Sequence, residues 1–127
     1  MNEFAKMQWQ RALRTMSSAR QLIETDPDSA ASRAYYAAFH ALTTVFAFRD
    51  QSFSKHSALR AALHRDLIKT SQWPVELGKA FDFLTDIRET GDYGGLIQVS
   101  RSDAELAIEK AQTIIDQVRY TLPELGQ

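Results

Sequence analysis

The chain has no cysteine among its 127 residues, so neither a disulfide framework nor a thiolate metal site can form. That absence fits a reducing cytoplasm. The chain also lacks a charge excess: fifteen Lys and Arg stand against sixteen Asp and Glu, for a formal net charge of -1. Bulk charge does not draw such a chain to nucleic acid, and any RNA contact has to come from a local patch. No apolar run reaches the roughly 18 residues of a membrane span, and the opening stretch MNEFAKMQWQRALRT contains no uninterrupted apolar run of signal-peptide length. A soluble cytoplasmic protein with no membrane partner is expected. Histidine is scarce, with only His40, His56 and His64, so no Ser, His, Asp arrangement is indicated. The segment GDYGG lacks the lysine and the preceding strand of a phosphate loop, which argues against a nucleoside-triphosphate hydrolase. There is no internal repeat and no low-complexity tract. What remains is a single domain over residues 1–127, long enough to bury a core without disulfides.

The apolar spacing predicts five helices and no strand, an all-α chain. The first covers about residues 3–24, with Trp9, Leu13, Met16 and Leu22 on one side. In TDPDS, Asp26 suits an N-cap and Pro27 the first helical position, so a second helix starts there and runs to about Arg49. A third, about 55–70, places Leu59, Leu63 and Leu67 on one stripe. Pro74 opens a fourth holding Leu77, Phe81, Leu84 and Ile87, and TGDYGG marks its end and a mobile loop. Ser102 with Glu105 reads as a capping box opening a last helix through Leu106, Ala111, Ile114, Ile115 and Val118. Short connections favour antiparallel neighbours and hence a bundle. The second helix is apolar or small almost all round, with Ala34, Ala37, Ala38 and Ala41 on two sides. A small bundle struggles to cover such a helix alone, and a two-fold dimer is expected to supply the cover.

Two constellations carry candidate chemistry. Arg33 and His40 lie seven positions apart in SRAYYAAFH, nearly two turns at about 100° per residue, so they share a helix face while Tyr35, Phe39, Leu42 and Phe46 form a core stripe opposite. An imidazole can take a proton from a ribose 2′-hydroxyl while a guanidinium grips the phosphate. The plainer alternative is an arginine paired to a carboxylate and a satisfied buried histidine. Arg88, Asp92 and Tyr93, within DIRETGDYGG, form the second set, an i, i+4 charge pair with a tyrosine beside the glycines. They suit a phosphate contact with a stacked base, or equally a charge pair that finishes a helix. His56 and His64 lie eight apart with no carboxylate at ligand spacing, so a solvated helix face is the better reading than a metal site.

Three blocks, SRAYYAAFHALT, FSKHSALRAALHRDLIK and RETGDY, resemble in their order the small prokaryotic branch of the HEPN superfamily, over about residues 10–120. The resemblance implies an up-and-down bundle of four main helices plus a short extra helix, usually dimeric. It implies frequent partnership with a minimal nucleotidyltransferase, often as the toxin half of a toxin and antitoxin pair, and no cofactor. Active members are metal-independent endoribonucleases whose arginine and histidine have four to six residues between them and lie at the dimer interface. In the corresponding region, Arg88 to Tyr93, this chain has no histidine; Asp92 and Tyr93 stand there, and the usual catalytic base is missing. Arg33 and His40 match the spacing, but in an earlier helix. Gly91 replaces an expected alanine, which would loosen the turn. The leading expectation is a HEPN protein of a toxin and antitoxin or defence module that acts on or binds RNA; the alternative is a non-catalytic subunit that docks a nucleotide or a nucleotidyltransferase.

Overall fold

The computed structural model describes residues 2–93, 95 and 97–126, and among these there is no strand. Five α-helices follow in order: α1 (Glu3–Leu22), α2 (Pro27–Ala47), α3 (His56–Ala62), α4 (Val75–Tyr93) and α5 (Arg101–Thr121). Helices α1, α2, α4 and α5 make an up-and-down bundle, and α3 is the short extra element. The helix starts are chemically explicit. Asn2 and Asp26 accept from the backbone N–H groups of Ala5 and Ser29. Ser100 caps α5 by accepting from the Asp103 N–H at 3.1 Å. Ser102, expected as the cap, lies inside the first turn instead, because Ser100 is the residue with extended backbone and an oxygen aimed at the third N–H.

Helix α2 is the centre of the bundle, contacted by α1, α4 and α5. Ala30, Ala31, Ala34, Ala37, Ala38 and Ala41 are all fully buried, and their small side chains let neighbouring backbones come close. The cover that this helix needs is therefore supplied within one chain. A dimer is not required to bury it, contrary to the expectation from its composition.

Two other features depart from expectation. The third helix does not run evenly to residue 70: after Ala62 it widens into a π-helical turn, Leu63–Ile68, which keeps Leu63 and Leu67 in the core while turning His64 toward α4. Gly91 does not loosen the end of α4. It is helical, and a Cβ there would stand 2.8 Å from the carbonyl oxygen of Asp28, so its missing side chain is what lets α4 close against the start of α2. Asp28 also accepts from the Val99 N–H through Oδ1 at 2.7 Å, fastening the far side of the α4–α5 connection to the same residue. Gly94, part of the predicted glycine loop, lies outside the described residues.

Candidate functional site

The side chain of Arg88 reaches from α4 into a nest of aromatic rings on α2. Its Cζ lies 4.9 Å from the ring centroid of Tyr35, 5.7 Å from that of Tyr36 and 5.8 Å from that of Tyr93, and Nη1 donates to the Tyr36 hydroxyl at 2.9 Å. Nε is shielded from solvent and has no acceptor. A guanidinium held over π faces keeps its charge and its outward N–H groups for another anion. The ion pair expected between Arg88 and Asp92 is not formed among the described residues; the aromatic rings and the Tyr36 hydroxyl take the guanidinium inward, and Asp92 is exposed to solvent. Tyr93 is 73% exposed, an open ring at the rim.

His56, at the start of α3, completes this cluster. Its ring centroid lies 4.3 Å from that of Phe39, and its Nδ1 is 3.0 Å from the hydroxyl of Tyr35. Burial, and then the charge of Arg88, lower the imidazole below its ordinary value, so it is neutral at neutral pH and keeps a lone pair. Burial pushes the Tyr35 hydroxyl up to about 12, so it remains a protonated partner. Tyr35, His56, Ser57, Arg60, Arg88 and Glu89, with Thr85, line one cavity of about 260 Å³. His56, read from sequence as part of a solvated face, is exposed, and it also lines the cavity of Arg88. No local pattern could have found it, since the contact joins residues 21 apart in sequence through a turn and a helix start.

Arg33 and His40 do not form a pair. Arg33 is exposed, with its Cζ 5.1 Å from the centroid of Tyr36, so it flanks the same ring as Arg88. His40 is half-buried and donates from Nδ1 to Oε1 of Gln8 on α1 at 2.8 Å. Burial, reinforced by the charges of Arg11 and Arg33, pushes it down to about 4. Tyr36 is therefore where the two predicted groups meet: Arg33 and Arg88 gather around it, while His40 turns into the α1–α2 interface. His64 stays more than a third exposed, as the reading of a solvated face expects, but its Nε2 lies 2.9 Å from Oδ1 of Asp82.

A larger groove of about 410 Å³ runs between α1 and α5, walled by Ile23 and Ile108 and crossed by a hydrogen bond from Arg20 to Gln112. Its lining contains no histidine or aromatic side chain. Among the described residues no three His, Cys, Asp or Glu side chains are placed to hold a metal ion, and no helix is long and apolar enough to cross a membrane.

The sequence matches the HEPN domain family over residues 5–120. It is 33% identical over 129 residues to a UPF0332 protein of Thermotoga maritima, covering 98% of each chain. It is 26% identical over 95 residues to a protein of Methanocaldococcus jannaschii named "Putative toxin MJ0142", covering 75% of this chain and 65% of that one. The crystal structure of TT1696 from Thermus thermophilus superimposes with a TM-score of 0.77 at 23% identity, covering 94% of this chain and 98% of that one, a likeness of fold.

Proposed function

The chain belongs to the HEPN domain family, and from that premise we propose that it is the toxin-like member of a toxin and antitoxin or defence module, acting on single-stranded RNA at the Arg88 cavity. One observation carries this reading: an arginine and a neutral histidine from different helices, Arg88 and His56, line the same cavity. The histidine missing from the Arg88 to Tyr93 segment has a substitute in space. Arg88 would hold the scissile phosphate, and the imidazole of His56 would take the proton of the neighbouring 2′-hydroxyl. The 2′-oxygen then attacks phosphorus, the bond to the 5′-oxygen breaks, and the proton passes to that leaving oxygen. Exposed Tyr93 suits stacking of an unpaired base. The local Arg33 and Arg88 patch supplies the attraction that a net charge of -1 does not.

The test is cleavage of a labelled single-stranded RNA in the presence of a chelator. Arg88→Ala is expected to lose binding and cleavage together, whereas His56→Gln is expected to keep binding and lose at least about a hundredfold in rate, the usual lower end of general-base catalysis. A folded Arg88→Ala variant that binds RNA like the parent overturns the assignment.

A second reading, the non-catalytic binding subunit, is favoured by the Tyr35 to His56 hydrogen bond. If the hydroxyl donates to Nδ1, the imidazole proton sits on Nε2, and His56 offers the phosphate a donor rather than a base. A parent that binds RNA without cutting it selects that reading. The nucleotidyltransferase partner, the homodimer and the cytoplasmic location belong to the same proposal through the family resemblance. Co-purification with the product of an adjacent reading frame tests the first, and light scattering at twice the 14.4 kDa chain mass tests the second.

A further inference from the structure

The cavity has a second guanidinium, and an ion-pair network outside the Arg88 cluster holds it. Arg60 of α3 donates from Nε to Oδ1 of Asp82 on α4 at 2.8 Å, and the same oxygen meets Nε2 of His64 at 2.9 Å. Two elements of the fold are shaped around that trio. The π-helical turn begins at Leu63 and presents His64 to α4, and Gly78 of α4 leaves the space for its ring, since a Cβ there would lie 2.7 Å from His64 Cε1. All three side chains are more than a third exposed, so the pairing contributes little to stability. Its geometric effect is larger. With Nε engaged, the guanidinium plane is fixed while both Nη groups have no protein partner among the described residues, and Arg60 lines the cavity that holds Arg88.

We infer that Arg60 is a second phosphate-binding residue of this cavity, that Asp82 and His64 are its positioning residues, and that the ligand is a single RNA strand engaged through two neighbouring phosphates. This rests on the reading of the Arg88 cavity as an RNA site and deepens it. A single phosphate needs one bidentate guanidinium; two guanidiniums from separate helices, each with outward N–H groups, suit a backbone that passes from one to the other. His56 lies in the same cavity, beside the strand that the two arginines would hold.

The experiment measures the affinity of the full chain for a labelled oligouridylate over a potassium chloride series at neutral pH, with thermal melts to confirm that each variant is folded. Arg60→Ala is expected to weaken binding by about tenfold, one charge-assisted contact, and to make the slope of log affinity against log salt shallower by about 0.7, one phosphate of a single strand. Arg88→Ala is expected to do the same independently. Asp82→Ala is the discriminating variant. It removes a negative charge next to the cavity together with the oxygen that Arg60 and His64 share, so a role through charge alone predicts tighter RNA binding, whereas positioning of Arg60 predicts weaker binding with the Arg60 charge still present. If Asp82→Ala binds as tightly as the parent or more so, or if Arg60→Ala leaves the salt slope unchanged while Arg88→Ala alters it, the second phosphate site is wrong and the Arg88 reading stands. If no variant alters binding, or the parent does not bind the strand, both fall.

Discussion

The hydroxyl of Tyr35 lies 3.0 Å from Nδ1 of His56, and this contact ties the central helix to the start of α3. Tyr35 is fully buried against Phe81, its ring centroid 5.4 Å away, so its oxygen is held in place by the core. The orientation of an imidazole at the surface is thereby set from inside the bundle, as a metal ligand or catalytic histidine is set by the group behind it. Arg88, stacked on the same tyrosine ring, shares that reference.

Removing the charge of Arg88 is expected to raise the pKa of His56. Burial lowers it first and the guanidinium second, so Arg88→Ala leaves the first effect and deletes the second. NMR titration of the His56 ring protons in the two proteins checks this; an unchanged midpoint would mean that the two groups do not sense each other across the cavity.

His40 should make the fold sensitive to mild acid. Its folded-state pKa is about 4 against 6.5 unfolded, so between those values the unfolded chain binds the proton more readily. The sign follows: stability is intact above pH 6.5 and declines as pH falls toward 4, by an amount on the order of 2–3 kcal/mol. Urea unfolding across that range measures it, and His40→Gln should flatten the dependence without altering RNA binding. Loss of RNA binding in a fully folded variant would instead return His40 to the functional site.

Gly91→Ala is expected to destabilise, although alanine is the better helix former by about 1 kcal/mol. The added Cβ would stand 2.8 Å from a backbone oxygen of Asp28, which cannot swing aside, and overpacking of this kind costs about 1–3 kcal/mol. A melting temperature at or above that of the parent would show that α4 retreats at little cost.

Tyr93→Ala should leave the melting temperature nearly unchanged, because the ring is 73% exposed, and should weaken binding of unpaired RNA by about 1–3 kcal/mol if a base stacks on it. Fluorescence anisotropy with single-stranded RNA decides. Equal affinity in the two proteins would remove base stacking on this ring from the reading.

The bundle was legible because its information is local. Asp26 and Pro27 announce α2 within three residues, and Leu77, Phe81, Leu84 and Ile87 repeat at helical spacing. The site was legible only in pieces. Arg88 and Tyr93 stand out from their place beside the glycines, but spacing puts Asp92 with Arg88, and spacing cannot show that a ring nest on α2 offers the guanidinium a better seat. His56 and Arg60 enter through contacts with Tyr35 and Asp82, at separations of 21 and 22 residues, where no periodicity connects them. The π-helical turn likewise has no signature in LHRDLI; it is visible only as the place where His64 meets Gly78.

Asp28 holds the α4–α5 connection from both sides, its carbonyl against Gly91 and its carboxylate on the Val99 N–H. The span between those two points therefore starts and finishes at one residue, whatever its length. Closing a longer loop between fixed ends adds only about 0.6 kcal/mol per doubling, so residues inserted after Tyr93 would leave the helices in register. The rim beside Arg88 can then change in reach and chemistry while the floor of Tyr35, Tyr36 and His56 stays as it is, an arrangement in which recognition is free to diverge without disturbing the cavity below it.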